Sequence, residues 1–149
     1  MKKLHFMPVF FRALGYFGLV FGVGFLLGPI RVLVLEPRVG TRWAELIEMP
    51  IMLTAIGFVA AGMVRRSRSL LRPLEWVAVG QLAMIGVLAA DLGVGVWLRH
   101  LTAAQVFTQR DPVSGAAYYG LLLVFGGAPW WFHRRQSLAA GARRRSPGG

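Results

Sequence analysis

Four long apolar stretches constrain this chain more than any other feature of its sequence. They lie at about 13–35, 43–64, 74–98 and 116–132 in a chain of 149 residues. A helix of about 20 apolar residues crosses a hydrocarbon core of about 30 Å and satisfies its own backbone hydrogen bonds. One such stretch fits inside a water-soluble protein, but four leave too little polar sequence to cover them. The pattern predicts an all-α integral membrane protein built as a four-transmembrane-helix bundle.

The composition agrees with a membrane environment and excludes several kinds of site. Hydrophobic residues make up 56% of the chain and charged residues 15%, which is too little charge for the surface of a soluble domain. The chain has no cysteine, so disulfides, thiolate metal sites and thiol nucleophiles are excluded. The sequence contains no catalytic triad pattern, zinc-binding histidine motif or phosphate-binding glycine loop. We therefore expect no enzyme activity, no metal and no cofactor.

The basic residues predict how the bundle is oriented. A net charge of +11 would suggest nucleic acid in a soluble domain, but here the lysines and arginines cluster between apolar stretches, so we expect no nucleic-acid partner. Twelve of the 17 lie in the N-terminal segment, the loop at 65–72 and the tail after 133, and five lie in or next to the other two loops. Because cytoplasmic loops are rich in lysine and arginine, both termini are predicted to be cytoplasmic, N-in/C-in.

The chain is predicted to form one transmembrane domain, 1–135, followed by a tail, 136–149. The tail is basic and rich in glycine and alanine, and we expect it to be disordered in the cytoplasm. Its arginines and those of the 65–72 loop are predicted to attract anionic lipid headgroups or, in the simpler interpretation, only to fix topology. The first residues also resemble the start of a signal peptide, but the apolar block after Arg12 is too long for one and no Ala-x-Ala site follows.

The connections between the apolar stretches contain turn signals. Pro37 and Gly40 predict the end of the first helix, and Pro73 is suited to the first turn of the third. Glu75, at the start of that third helix, is predicted to act as a capping charge. Residues 101–110 are predicted to form a short interfacial helix before a break at Asp111 and Pro112.

A small set of charged side chains is predicted to lie in the outer half of the membrane: Arg31, Glu45, Glu48 and Asp91. Glu45 and Glu48 are one helical turn apart, just before Pro50, which is predicted to kink the helix and to free a backbone carbonyl. Charge in lipid is costly, so we expect these side chains to turn inward and Arg31 to pair with one glutamate. The remaining negative charge can be neutralised by a proton or a cation. The cluster is therefore either a functional ion site or only a structural one.

The spacing of small residues predicts close packing between helices, because glycine lets two backbones approach in lipid. The first helix has two such faces and the third has one. We expect the first helix to be central in the bundle, or else to hold one sister helix and one partner chain. The residues are Gly15, Gly18 and Gly22 on one face of the first helix, Gly24 and Gly28 on a nearly opposite face, and Gly86, Ala90 and Gly93 on the third helix.

Three segments and one acid form a recognisable pattern: Gly28-Pro29-Ile30-Arg31, Glu36-Pro37-Arg38-Val39-Gly40 and Ala44-Glu45-Leu46-Ile47-Glu48-Met49-Pro50-Ile51-Met52, together with Asp91. This pattern resembles a group of small four-helix bacterial inner-membrane proteins that have no assigned activity. The likeness spans about 13–91. It implies a multi-pass protein of the bacterial inner membrane with four helices, and it implies no activity.

Two functions fit these features. The small size, short loops and lack of a soluble domain favour a non-enzymatic accessory or scaffold subunit, embedded in the lipid bilayer and packed through its glycine faces against a second copy or another membrane protein. The alternative is a small oligomeric carrier or channel that moves protons or cations through the cluster of Arg31, Glu45, Glu48 and Asp91.

Overall fold

The computed structural model describes residues 6–67, 70–97, 100, 102–108 and 111–145, and every element in them is a helix. The all-α prediction is confirmed. Three helices are long and apolar enough to cross a membrane, namely Met7–Val39, Thr41–Ser67 and Pro73–Trp97, which indicates a membrane protein. In chain order the elements are α1 (Phe6–Ile30), a π-helical segment (Arg31–Leu35), α2 (Glu36–Val39), α3 (Thr41–Ser67), α4 (Pro73–Trp97), α5 (Ala103–Thr108) and α6 (Pro112–Arg145).

The longest helix, α6, extends beyond its predicted span at both ends. The apolar stretch at 116–132 is its middle, and the helix continues through most of the tail. The expectation of disorder is therefore wrong for 136–145, while 146–149 lie outside the described residues. Alanine, leucine, arginine and glutamine favour helix, and lengthening an existing helix avoids the cost of nucleation. Tyrosine, tryptophan and proline lower the mean hydropathy of α6, which is not among the three apolar helices.

The first predicted turn is shorter than expected, because Pro37 does not end the helix. The backbone N–H of Glu36 bonds to the carbonyl of Arg31, five residues back, and Pro37 then lies in the first turn of α2. A proline is tolerated there because its missing N–H has no helical partner in any case. The helix ends at Gly40, whose φ of +81° lies in the left-handed region that favours glycine.

The other turn signals agree with the structure. α4 begins at Pro73, and α5 lies within the predicted helix at 101–110, whose ends at 101 and 109–110 fall outside the described residues. Asp111 caps α6, since its Oδ1 accepts the backbone N–H groups of Val113 at 3.0 Å and Ser114 at 3.2 Å. A carboxylate at this position satisfies N–H groups that the helix itself leaves unpaired.

The four long helices pack in a ring in which each contacts two neighbours. α1 and α6 each pack against α3 and α4, so α1 and α6 lie diagonally opposite each other. Tyr16 of α1 crosses the centre: its Oη donates to the carbonyl of Phe125 on α6 at 2.9 Å, and the two rings stack with centroids 4.4 Å apart. The buried residues around this contact are Val20, Ile56, Ala60, Ala83 and Ala128.

The backbones of α4 and α6 come into close contact at a glycine pair that the sequence pattern did not predict. A Cβ on Gly80 of α4 would overlap the backbone of Gly126 on α6, so the backbones touch there. In the small-residue face predicted on α4, Gly86 packs under the ring of Phe17, while Gly93 borders open space. The predicted face is therefore only partly used within the chain, because helix contacts depend on crossing geometry that spacing does not specify.

The glycines of α1 correct the picture of a central helix packed on both faces. Only Gly24 lies against another helix, with its side-chain position 3.4 Å from Cε of Met52 on α3. At the other four positions an added Cβ would meet nothing outside its own turn of helix within 4 Å. These open positions are Gly15, Gly18, Gly22 and Gly28. Among the described residues, then, α1 is packed on one side only, and a partner on its other side stays a prediction.

The charged residues separate toward the two ends of this bundle. Because the chain reverses at each connection, α1 and α4 begin where α3 and α6 end, and Val9, Val64 and Trp76 share one buried cluster there with Trp130 against it. We call this end the basic end, after Arg65, Arg66, Arg134 and Arg135. The opposite end, which we call the ion-pair end, carries Arg31, Glu36, Arg42, Glu45, Glu48, Asp91 and Asp111.

Candidate functional site

An ion pair between α1 and α3 is the centre of the candidate site. Arg31 is the first residue of the π-helical segment, and its Nη1 donates to Oε2 of Glu48 on α3 at 3.0 Å. The two side chains are 29% and 14% exposed, so the pair is largely shielded. The expectation that Arg31 pairs with one of the glutamates is confirmed. Such a pair joins two helices by the charge-assisted hydrogen bond that desolvation makes necessary.

A second carboxylate approaches Arg31 from its own chain segment. Nε of Arg31 lies 3.5 Å from Oε1 of Glu36, a contact that the sequence analysis did not predict. Residues five apart on an α-helix point in different directions, whereas a π turn repeats its hydrogen bond at i→i+5 and brings Arg31 and Glu36 toward one side. The sequence feature that could have predicted this contact is the pair of prolines at 29 and 37, which flank the only π-helical segment among the described residues.

Glu45 completes the negative charge beside this pair. It lies one turn before Glu48 on α3 and is half-buried, and among the described residues it has no hydrogen-bond or ion-pair partner. Pro50 follows inside the same helix, which is unbroken there, and Oγ1 of Thr54 donates to the Pro50 carbonyl at 2.7 Å. Because Pro50 has no N–H, the carbonyl of Leu46 lacks its usual helical donor. The predicted kink at Pro50 stays a prediction.

Asp91 lies in a different part of the ion-pair end from Arg31. It accepts a hydrogen bond from Oη of Tyr118, so this contact joins α4 to α6, whereas the Arg31 pair joins α1 to α3. From the sequence, Asp91 was grouped with Arg31 by depth alone, and Tyr118 had no predicted partner. Depth along a helix can be counted from the sequence, but which neighbour a side chain faces depends on the packing of the helices.

A further ion pair lies at the entrance of α6. Nη2 of Arg42 lies 2.7 Å from Oδ2 of Asp111, and Nε of Arg42 donates to both carboxylate oxygens at 3.0 Å. The hydrogen bond from Arg42, helped by the backbone N–H groups of Ser114 and Val113, holds the pKa of Asp111 below its ordinary value. From the sequence, Asp111 was predicted only to break the helix, because nothing local connects it to a residue 69 positions away.

The basic end has one acid, and it serves the backbone. Oε2 of Glu75 accepts the N–H of Arg72 at 2.8 Å, which confirms the prediction that Glu75 caps α4. Glu75 is only 4% exposed, and next to it the buried Trp76 stacks on His133 of α6 with ring centroids 5.9 Å apart. His133 had no predicted role, and its ring here helps to join α4 to α6.

The chemistry open to the site follows from its charges. One guanidinium faces Glu48 and Glu36 while Glu45 lies a turn away, so the group as a whole carries excess negative charge. Carboxylate oxygens accept protons and bind hard cations. The same contacts also join the π-helical segment to α3, which is a structural role.

The chain has no match among models of protein families, curated proteins or solved structures. The resemblance to small four-helix bacterial inner-membrane proteins therefore stays a prediction. Function has to be inferred from the geometry of the chain itself.

Proposed function

We propose that this chain is a four-span protein of the bacterial inner membrane with both termini in the cytoplasm. Three helices are apolar enough to cross a membrane, and α6 packs along two of them, α3 and α4, so its apolar stretch at 116–132 completes the fourth span. The excess of arginine at the basic end supports the cytoplasmic placement of that end. Of the basic residues counted for orientation, Lys2, Lys3, Arg68, Arg99 and Arg110 lie outside the described residues.

Within that membrane the proposed role is a non-enzymatic accessory or scaffold subunit that binds a second membrane chain through α1. The observation that carries it is the direction of the Gly15, Gly18 and Gly22 face. At 100° per residue this face lies about 150° from the side of α1 that packs in the core. The core side consists of Val9, Ala13, Tyr16 and Val20.

The physics of lipid explains why that face suits a partner helix. Apolar side chains gain nothing by leaving lipid for a helix surface, so association depends on close backbone contact. Gly18 and Gly22 are spaced as Gly-x-x-x-Gly, and large exposed side chains flank the groove they form. The flanking residues are Phe11, Leu14, Leu19 and Leu26, each more than 50% exposed. A partner helix can pack into this groove, and the flanking side chains can pack on either side of it.

The test is to fill the groove. Gly18→Ile with Gly22→Ile should dissociate the complex in mild detergent, measured by size-exclusion chromatography with light scattering and by identification of co-purifying chains. The matched control is Gly57→Ile with Gly62→Ile on α3, where added side chains also meet open space. An unchanged complex in the α1 variant, or equal loss in both variants, contradicts the proposal. A monomer in the unmodified protein with no stoichiometric companion contradicts it as well.

A second candidate function, a proton or cation carrier, is favoured by Glu45. This carboxylate has no partner among the described residues and lies near Glu48 and the carbonyl of Leu46, whose usual N–H donor is replaced by Pro50, so these oxygens can hold an ion. Liposomes containing the protein should then carry protons or cations, and Glu45→Gln should abolish the flux while leaving the Arg31 to Glu48 pair intact. Glu48→Gln should abolish it too. Absence of flux above that of empty liposomes contradicts this function.

A further inference from the structure

Two arginines at the basic end lie over tryptophan rings of their own helix. Cζ of Arg134 is 5.4 Å from the centroid of Trp130, and Cζ of Arg135 is 4.2 Å from the centroid of Trp131. Each pair is four residues apart, the spacing at which side chains of a helix meet. Cation–π attraction restrains both guanidinium groups, and a restrained donor loses less entropy when it binds a ligand.

Neither arginine is neutralised by the described part of the chain. All three salt bridges there involve Arg31 or Arg42 at the ion-pair end, and Arg134 and Arg135 are exposed with no hydrogen bond or ion pair to another described residue. The acid of the basic end, Glu75, is buried beneath the surface. The N–H donors of both guanidinium groups are therefore available to bind a negatively charged ligand.

The position of these arginines along α6 identifies the source of that charge. Trp131 is 43% exposed and ends the apolar part of the helix, and exposed tryptophans of membrane helices lie at the boundary between hydrocarbon and headgroups. Arg134 and Arg135 follow one turn later, about 5 Å further along the axis. That depth is the level of lipid phosphate groups, and Arg65 and Arg66 at the end of the neighbouring α3 add positive charge there.

We propose that Arg134 and Arg135, held over Trp130 and Trp131, bind the phosphate of an anionic phospholipid headgroup. Planar guanidinium groups bind phosphate oxygens with two parallel N–H donors, which a lysine cannot do. The tryptophan rings pack against the glycerol and upper acyl region of the same lipid. This site is on α6 and does not depend on association through the glycine face of α1.

The test measures lipid binding to the full chain in detergent by native mass spectrometry, with titrated phosphatidylglycerol or phosphatidylcholine. The unmodified protein should bind one phosphatidylglycerol saturably and much more tightly than phosphatidylcholine. Arg134→Gln with Arg135→Gln should weaken that binding about 100-fold, since each guanidinium donates at least one hydrogen bond to a charged group, and each such bond contributes about tenfold. Arg134→Lys with Arg135→Lys keeps the charge and should still lose most of the affinity.

The matched control is Arg65→Gln with Arg66→Gln, which removes the same charge at the same end without touching a stacked arginine. It should weaken binding much less than the α6 variant does. Equal losses in the two variants, full affinity in the lysine variant, or no preference for phosphatidylglycerol would each overturn the proposal. Displacement of the lipid by millimolar inorganic phosphate would assign the site to free phosphate and overturn its identification with lipid. Unchanged thermal melting of each variant confirms that the losses do not come from unfolding.

Discussion

The two ends of the bundle differ in how their arginines are paired. At the ion-pair end, Arg31 and Arg42 are paired with carboxylates of other elements, and Asp91 accepts a hydrogen bond from another helix. At the basic end, Arg134 and Arg135 lie over aromatic rings and have no acid among the described residues. The difference indicates that the charged side chains at the ion-pair end stabilise the fold, whereas the arginines at the basic end are available to bind a negatively charged ligand. Variants at the two ends should therefore affect different measurements.

The largest effect is expected when Arg31 is removed. Arg31→Leu leaves Glu48 and Glu36 without their counterion in a shielded place, which should cost about 3 kcal/mol of unfolding free energy, measured by denaturation in mixed detergent micelles. Arg134→Leu at the basic end is the control and should change stability by no more than about 0.5 kcal/mol. Equal destabilisation by the two variants would remove the distinction between the ends. Adding Glu48→Leu to Arg31→Leu should restore part of the lost stability, because one unpaired charge is then gone.

A smaller effect is expected at the contact between α4 and α6. Tyr118→Phe removes the donor that bonds to Asp91 and should cost about 1.5 kcal/mol in the same denaturation assay. Tyr119→Phe is the natural control, because the neighbouring ring is partly exposed and its hydroxyl has no hydrogen-bond partner among the described residues. If the two variants melt alike, Asp91 does not depend on Tyr118 and the contact carries no stability.

The smallest effect is expected for the exposed pair of Arg42 and Asp111, and it should depend on pH. Because the pKa of Asp111 is lowered in the folded chain, the pair stabilises the fold at pH values above 3.8, the ordinary pKa of an aspartate. This contribution is lost as the pH falls below 3.8 and through the lowered pKa of the folded chain. Arg42→Gln should therefore lower the melting temperature slightly at pH 7 and by less at pH 3. Salt should reduce the effect at pH 7.

The matched control for that pair is Arg38→Gln, which removes an exposed arginine of the same end without breaking a described ion pair. It should leave the melting temperature unchanged at both pH values. A pH-independent loss in the Arg42 variant would show that the arginine acts by packing rather than by charge.

Much of the fold could be predicted from the sequence because it depends on local rules. The length of the apolar stretches predicted the helices, Pro73 predicted the start of α4, and an acid in the first turn predicted the Glu75 cap. The tail was the exception. Its small and basic residues were interpreted as disorder, although they extend a helix that had already formed.

The site was predicted less completely, because it depends on how helices face each other. Sequence depth placed Arg31 near Glu48, and the structure pairs them. It gave no sign of Glu36, which only the π turn brings close, nor of Tyr118 as the donor to Asp91. The glycine spacing predicted close packing on two faces of α1, where only Gly24 lies against another described helix, and it missed the backbone contact at Gly80, since spacing alone does not say which face meets a neighbour.

The most direct test of the account asks whether the two ends lie on opposite sides of a membrane. The chain contains no cysteine, so a single introduced thiol reports its own side. Thr102→Cys marks the ion-pair end and Ser137→Cys the basic end, and both positions are exposed. A membrane-impermeant maleimide should label Thr102→Cys in intact bacterial cells and Ser137→Cys only after lysis. Labelling of both in intact cells, of neither before lysis, or in the reverse pattern would contradict the proposed orientation.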